Sequence, residues 1–187
     1  MSAIAVVGSL LSLAACNDAG ESFGSRSEPG SDSIVVGDVR GEDLVVHEAI
    51  AVRIDGPSAH GVAIILTDRP GMCGALRDDA ALATANTLTL FVPDALPTEK
   101  GSIDARSWIS GSEATFTAWE PGCEEKTYVS TLGEVALDAV ELEPGQRTSG
   151  TFDVAFDADR IGGKFAALYC DVGATSPNPL DETARCD

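Results

Sequence analysis

Basic side chains are scarce in this sequence. The 187 residues carry 12 Lys and Arg against 30 Asp and Glu, a formal net charge of −18. A reader of phosphate backbones needs the opposite balance, because it binds by displacing counterions with cations, so no nucleic-acid partner is expected. Histidine is nearly missing as well. Only His47 and His60 are present and no Cys-x-x-Cys pair occurs, which removes the usual zinc donor sets. His47 precedes Glu48, but Ala51 stands where a helix-borne zinc motif needs its second histidine. Neither a metal nor another cofactor is therefore expected. Long apolar runs are also lacking: residues 3–13 form a charge-free, mostly apolar stretch of eleven, short of the roughly 20 needed to span a bilayer. Collagen-like, coiled-coil and multi-span membrane classes fail on composition, and a hydrophobic content of 44% is too high for a disordered chain. The length suits one domain.

The N-terminal residues 1–15 contain no charged side chain, and the apolar stretch within them reads as the central region of a signal peptide. It runs into Leu13-Ala14-Ala15-Cys16, which resembles the lipobox of bacterial lipoproteins. In that family the signal peptidase cuts before the cysteine. The resemblance implies removal of residues 1–15 and a diacylglycerol thioether and acylated (palmitate-bearing) amino group on Cys16. The membrane partner is then reached through a lipid anchor, since several acyl chains anchor stably where one does not. The expected location is the cell envelope, at the outer membrane or the periplasmic side of the inner membrane. Asn17 occupies the position where Asp gives the simplest inner-membrane signal. Residues 16–33, rich in Gly, Ser and acids, have the composition of a tether.

From residue 34 to 187, short β-branched stretches broken by turn residues predict one all-β domain, an antiparallel β-sandwich with one short helix. Ten strands are expected, an overcount by one or two: 34–40, 44–54, 62–67, 87–92, 103–109, 114–119, 127–132, 134–142, 150–156 and 164–170. Residues 157–163 supply the turn of the last hairpin, and residues 74–84 favour a helix. The ending around Gly150-Thr151-Phe152 and Gly163-Lys164-Phe165 is similar to the last hairpin of small β-sandwich lipoproteins of GC-rich Gram-negative bacteria, a resemblance that carries no activity.

With Cys16 lipidated, Cys73, Cys123, Cys170 and Cys186 form an even set suited to an oxidising compartment. The favoured pairing is Cys73 with Cys123 and Cys170 with Cys186. No catalytic constellation stands out. Gly20-Glu21-Ser22-Phe23-Gly24 matches the nucleophile-elbow pattern but lies in the tether rather than on a strand-to-helix turn. Asp157-Ala158-Asp159 begins like a calcium loop, yet Leu168 stands where the twelfth-position Glu belongs. Glu120, Glu124 and Glu125 beside Cys123 offer a weak cation site at most.

One hairpin carries the expected binding face. If residues 103–119 turn at Gly111-Ser112, then Asp104, Arg106, Trp108, Thr115, Thr117 and Trp119 share one side of the pleat. Ala105, Ser107, Ile109, Ala114, Phe116 and Ala118 take the core side. Both tryptophans of the chain then stand among hydrogen-bonding groups, as a glycan or an envelope protein requires. The expectation is a lipid-anchored binding or structural module. The alternatives are an envelope hydrolase with a site of unfamiliar form and a periplasmic assembly partner.

Overall fold

The computed structural model describes residues 32–56, 60–78, 84–93, 102–104, 113–120 and 124–173. In chain order these form β1 (Ile34–Val39), β2 (Glu42–Asp43), β3 (Glu48–Asp55), β4 (His60–Thr67), α1 (Met72–Arg77), β5 (Thr87–Pro93), β6 (Ser102–Asp104), β7 (Glu113–Glu120), β8 (Glu124–Val129), β9 (Leu132–Ala139), β10 (Arg147–Phe156) and β11 (Asp159–Tyr169). The all-β expectation holds, with one short helix.

Hydrogen-bonded neighbours run β6-β9-β10-β11-β3-β4-β5-β7-β8, with β1 pairing β11 and β2. Among the described residues all ladders are antiparallel but one: β11 meets β3 in parallel, at Leu168 opposite Ile50 and Tyr169 opposite Ala51. The sheet is therefore mixed, and its ladders do not divide into the two sheets of the expected antiparallel sandwich.

The sheet nevertheless folds back on itself. β7 and β10 lie five ladder steps apart along the strand order, about 24 Å in a flat sheet at ~4.8 Å per step. Yet the rings of Phe116 in β7 and Phe156 in β10 have centroids 6.4 Å apart, edge to face. Consecutive residues of the β8–β9 connection bridge the same strands: Ser130 donates its N–H to the Ala114 carbonyl and Thr131 to that of Ala155, both at 2.8 Å. The inner faces of the two halves thus share one core, drawn from β4, β5 and β7 on one side and β9, β10 and β11 on the other.

Sequence pattern explains which strands sit where. β10 alternates, burying Thr148, Gly150, Phe152, Val154 and Phe156 and turning the residues between them outward, as a strand with one core face does. β3 and β4 instead read as near-continuous apolar runs and are buried on both faces. Their second face carries Ile50, Val52, Ala63 and Ile65, roofed by Met72 of α1. Burying each large aliphatic side chain there contributes about 1.5–3 kcal/mol, so the six-residue helix has a packing reason to exist that its length alone would not supply. It starts two residues before the expected position and ends at Arg77; residues 79–83 lie outside the described ones.

Other boundaries also moved. The described strands number eleven, not fewer than ten, because β1 doubles back at Arg40-Gly41, both with positive φ, to pair Val39 with Glu42. The last hairpin turns on Asp157-Ala158 alone: Phe156 already faces Asp159, and Gly162 and Gly163 belong to β11. Ser33, assigned to the tether by composition, is fully buried, and its Oγ accepts the Ala166 N–H at 3.1 Å.

Candidate binding face

β7 is held on both edges, by β5 and by β8. Its inward residues Ala114, Phe116 and Ala118 are buried, so Thr115, Thr117 and Trp119 point to the opposite side, each partly buried. The register lines them up with outward residues of the flanking strands. One row reads Thr67, Thr87, Thr117, Thr127 across β4, β5, β7 and β8, and the next reads Thr89, Thr115, Val129. Burial falls along the threonine row, from 0% exposure at Thr67 and 8% at Thr87 to partial at Thr117 and open at Thr127. The face therefore emerges at β5 and opens toward β8.

Its chemistry is hydroxyls, carboxylates and two aromatic rings. Thr115 donates its hydroxyl to Glu113 Oε1 at 3.0 Å and Thr127 to Glu125 Oε1 at 3.1 Å, while the Thr117 and Thr127 oxygens lie 3.5 Å apart. Trp119 stands opposite Glu125, and Phe91, partly buried, stands opposite Glu113. No lysine or arginine occupies an outward position of β5, β7 or β8. The Trp119 backbone N–H is taken by the Asn86 side-chain oxygen at 3.0 Å, and the Asn86 N–H by Asp68 Oδ1 at 2.9 Å. Burial pushes the Asp68 carboxyl above the ordinary carboxylate range, against the opposing pull of that N–H.

The structure places three of the six residues of the expected face together. Thr115, Thr117 and Trp119 share the outer side, but the 103–119 hairpin does not form. Asp104 ends β6, which pairs with β9 at the other end of the strand order, opposite Glu134. A strand has two edges, and those of β7 are filled by β5 and by β8, which returns within three residues of Glu120 and pairs with it at Glu124. Arg106 and Trp108 lie outside the described residues. The partners that sequence reasoning missed are Phe91, Thr89 and Thr127. Their signal was the alternation of Thr87, Thr89 and Phe91 with leucines, and of Glu125, Thr127 and Val129 with Lys126 and Tyr128, legible only once the strand order is known.

The disulfide pairing is corrected too: Cys73 bonds Cys170, with an S–S distance of 2.05 Å and Cα atoms 5.7 Å apart. Both cysteines belong to the cluster under α1, so packing brings together residues that sequence spacing did not. Cys123 and Cys186, and the pattern at residues 20–24, lie outside the described residues. Asp157 and Asp159 serve as anchors for Arg40, which reaches Asp157 Oδ2 at 2.9 Å, while the Arg40 N–H meets Asp159 Oδ2 at 2.9 Å. Among the described residues no three His, Cys, Asp or Glu side chains converge as a metal site. Glu124 and Glu125 are exposed in β8. The backbone N–H of His47 binds the Thr67 carbonyl, and His60 Nδ1 lies 3.1 Å from Asp55 Oδ1.

A shallow cavity of about 260 Å³ lies where β3 and β11 end, lined by Arg53, Asp55, Tyr169, Cys170 and Asp171 among others. Asp55 holds Arg53 through its other oxygen at 3.1 Å. Burial, and next the charge of Asp171, raise the Tyr169 hydroxyl pKa. Asp171 Oδ1 accepts the Gly173 N–H at 3.1 Å. No family model matches this chain, nor does any curated protein or solved structure.

Proposed function

We propose that this chain is a lipid-anchored protein of the cell envelope, held through Cys16, whose β-domain binds a glycan on the outer face of β5, β7 and β8. The observation that carries the reading is Trp119: it stays partly open on the side of β7 away from the core, beside hydroxyls at strand spacing and the Glu125 carboxylate. A sugar ring presents an apolar face to stack on an aromatic and hydroxyls to meet carboxylates and threonines, and tryptophan supplies both apolar area and a polar handle. A net charge of −18 disfavours strongly anionic polymers and favours neutral or amine-bearing sugars.

The test is a glycan array and a pull-down on envelope polysaccharide with residues 32–187. Trp119→Ala should weaken binding by about tenfold or more, the scale of an interface anchor, and Thr117→Val should weaken it less. Capture of a protein and no glycan, still dependent on Trp119, would transfer the face to the assembly-partner reading. Binding indifferent to Trp119 would falsify the face altogether.

A further inference from the structure

Arg77 touches both arms of the Cys73–Cys170 disulfide. It follows Cys73 by four residues in α1, and its Nη2 donates to Cys73 Sγ at 3.2 Å. Its Nε donates to the carbonyl of Asp171, the residue after Cys170, also at 3.2 Å. A guanidinium held at two points keeps its charge against one sulfur of the pair. The two sulfurs differ in surroundings as well. Cys170 is 1% exposed within the second core, whereas Cys73 packs against that core only partly buried. Cys170 Sγ also lies 3.5 Å from the Cys73 carbonyl oxygen, an acceptor for the S–H it carries when reduced.

We infer that Cys73 is the reactive sulfur of this pair: in the reduced protein it stands as a thiolate against Arg77 and attacks the disulfide of an oxidised dithiol partner, after which Cys170 closes the bond. The thiolate is the nucleophile of disulfide exchange, and a neighbouring guanidinium favours it while apolar burial opposes it. The Cys73 sulfur bonds to one sulfur of the partner, and the partner's other sulfur leaves as a thiolate. Cys170 gives its proton to that thiolate and attacks Cys73, releasing the first partner sulfur as a thiolate. The two cysteines lose two electrons, and the partner's disulfide gains them.

This role has a sign that bracing alone does not. A disulfide sulfur is a weak acceptor and a thiolate a charged one, so Arg77 holds the reduced form more strongly than the oxidised form. Without Arg77 the bond should be harder to reduce. Were Arg77 only a brace for α1 in the bridged geometry, its loss would make reduction easier. Carboxylates also stand on the surrounding segments: Glu48, whose Oε2 takes the Met72 N–H at 2.8 Å, Asp78 after Arg77, and Asp55 and Asp171, which line the cavity with Cys170. Such side chains ordinarily titrate near pH 4, and the Tyr169 hydroxyl is raised from its ordinary value, so a thiol is followed between about pH 6 and about pH 9.

The full chain is equilibrated with reduced and oxidised dithiothreitol across that range and quenched in acid, and the Cys73–Cys170 pair is quantified by alkylation and peptide mass spectrometry. Arg77→Gln should favour the disulfide over the parent, by little at about pH 6 and by about fivefold at about pH 9, because the difference exists only where Cys73 is ionised. Arg77→Lys keeps the charge and should shift less. Iodoacetamide pulses on the reduced chain, with circular dichroism reporting the fold, should label Cys73 with a midpoint below the ordinary thiol value of about 8.5 and Cys170 more slowly. Glutathione disulfide should leave a glutathione on Cys73 in reduced Cys170→Ala and none on Cys170 in reduced Cys73→Ala. A difference of the opposite sign, one that does not grow with pH, or equal labelling of the two cysteines overturns the inference, and a reduced chain that unfolds gives the first and last of these. Neither Cys16 nor the face of β5, β7 and β8 enters, so the glycan reading fails or stands separately.

Discussion

Gly37 and Gly41 separate two costs that a glycine can hide. Both have positive φ, 106° and 83°, but a Cβ on Gly37 would lie 2.2 Å from the Arg160 carbonyl oxygen, while one on Gly41 would meet nothing within 4 Å. Gly37→Ala therefore adds a backbone clash to left-handed strain and should cost about 1–3 kcal/mol; Gly41→Ala should sit at about 1 kcal/mol from strain alone. Urea midpoints of the two variants check the order, and equal losses would remove the clash from the account. Two aspartates make opposite contributions to pH dependence. Asp153 is held below the ordinary carboxylate range first by its hydrogen bond to Arg160. Its stabilisation is present above the unfolded value and disappears as pH falls through the folded one. Both partners are largely exposed, so solvent screening keeps the effect small. Asp68 is raised, so its folded form binds the proton more readily and stability declines as pH rises from the unfolded value through the folded one. Urea midpoints against pH should therefore show Asp68→Asn gaining on the parent as pH rises through that window. Asp153→Asn should lose ground on the parent in the window below that one, as pH rises from the lowered folded value to the unfolded value, and the same sign for both would contradict the assignments.

At the scale of elements, strands announced themselves where one face had to be dry. Phe152, Val154 and Phe156 alternate in β10, and Ala114, Phe116 and Ala118 in β7, so their core sides were legible from period two. What the chain order could not reveal was pairing. The 103–119 hairpin was inferred from adjacency, and β7 instead pairs with β5 and β8, because non-local ladders are decided by the whole sheet. The disulfide failed for the same reason: Cys73 lies in α1 and Cys170 follows β11, and both converge on the second core only after β3 and β11 meet in parallel. That bridge closes a sequence separation of 97, worth about 4–5 kcal/mol by the chain-entropy relation. It also pins α1, whose only buried residue is Met72 and whose Met72 N–H is held by Glu48 at 2.8 Å. Non-reducing peptide mapping should recover a Cys73–Cys170 peptide. Cys73→Ala with Cys170→Ala should lower Tm by an amount consistent with that figure and raise hydrogen exchange first in α1. A Cys73–Cys123 peptide in its place would restore the earlier pairing.

For the molecule as a whole, the charge of −18 and the anchor proposed at Cys16 pull in opposite directions at an anionic bilayer. An acidic domain pressed against such a surface is repelled, and one acyl chain gives only marginal binding, with an association constant of about 10⁴ M⁻¹. Extra chains resolve the conflict, because several acyl chains anchor stably where one does not. A Cys16 acylated as proposed would then hold against the repulsion. The full-length protein should accordingly partition into membranes and resist extraction by high salt, since the attachment is apolar. Cys16→Ser should leave the chain either unprocessed or soluble, because the thiol is the point of attachment. Intact mass spectrometry of the N-terminal peptide decides the matter: a peptide beginning at Cys16 and carrying acyl mass supports the anchor, whereas one beginning there without it, or a retained Met1 on a salt-soluble protein, sinks it.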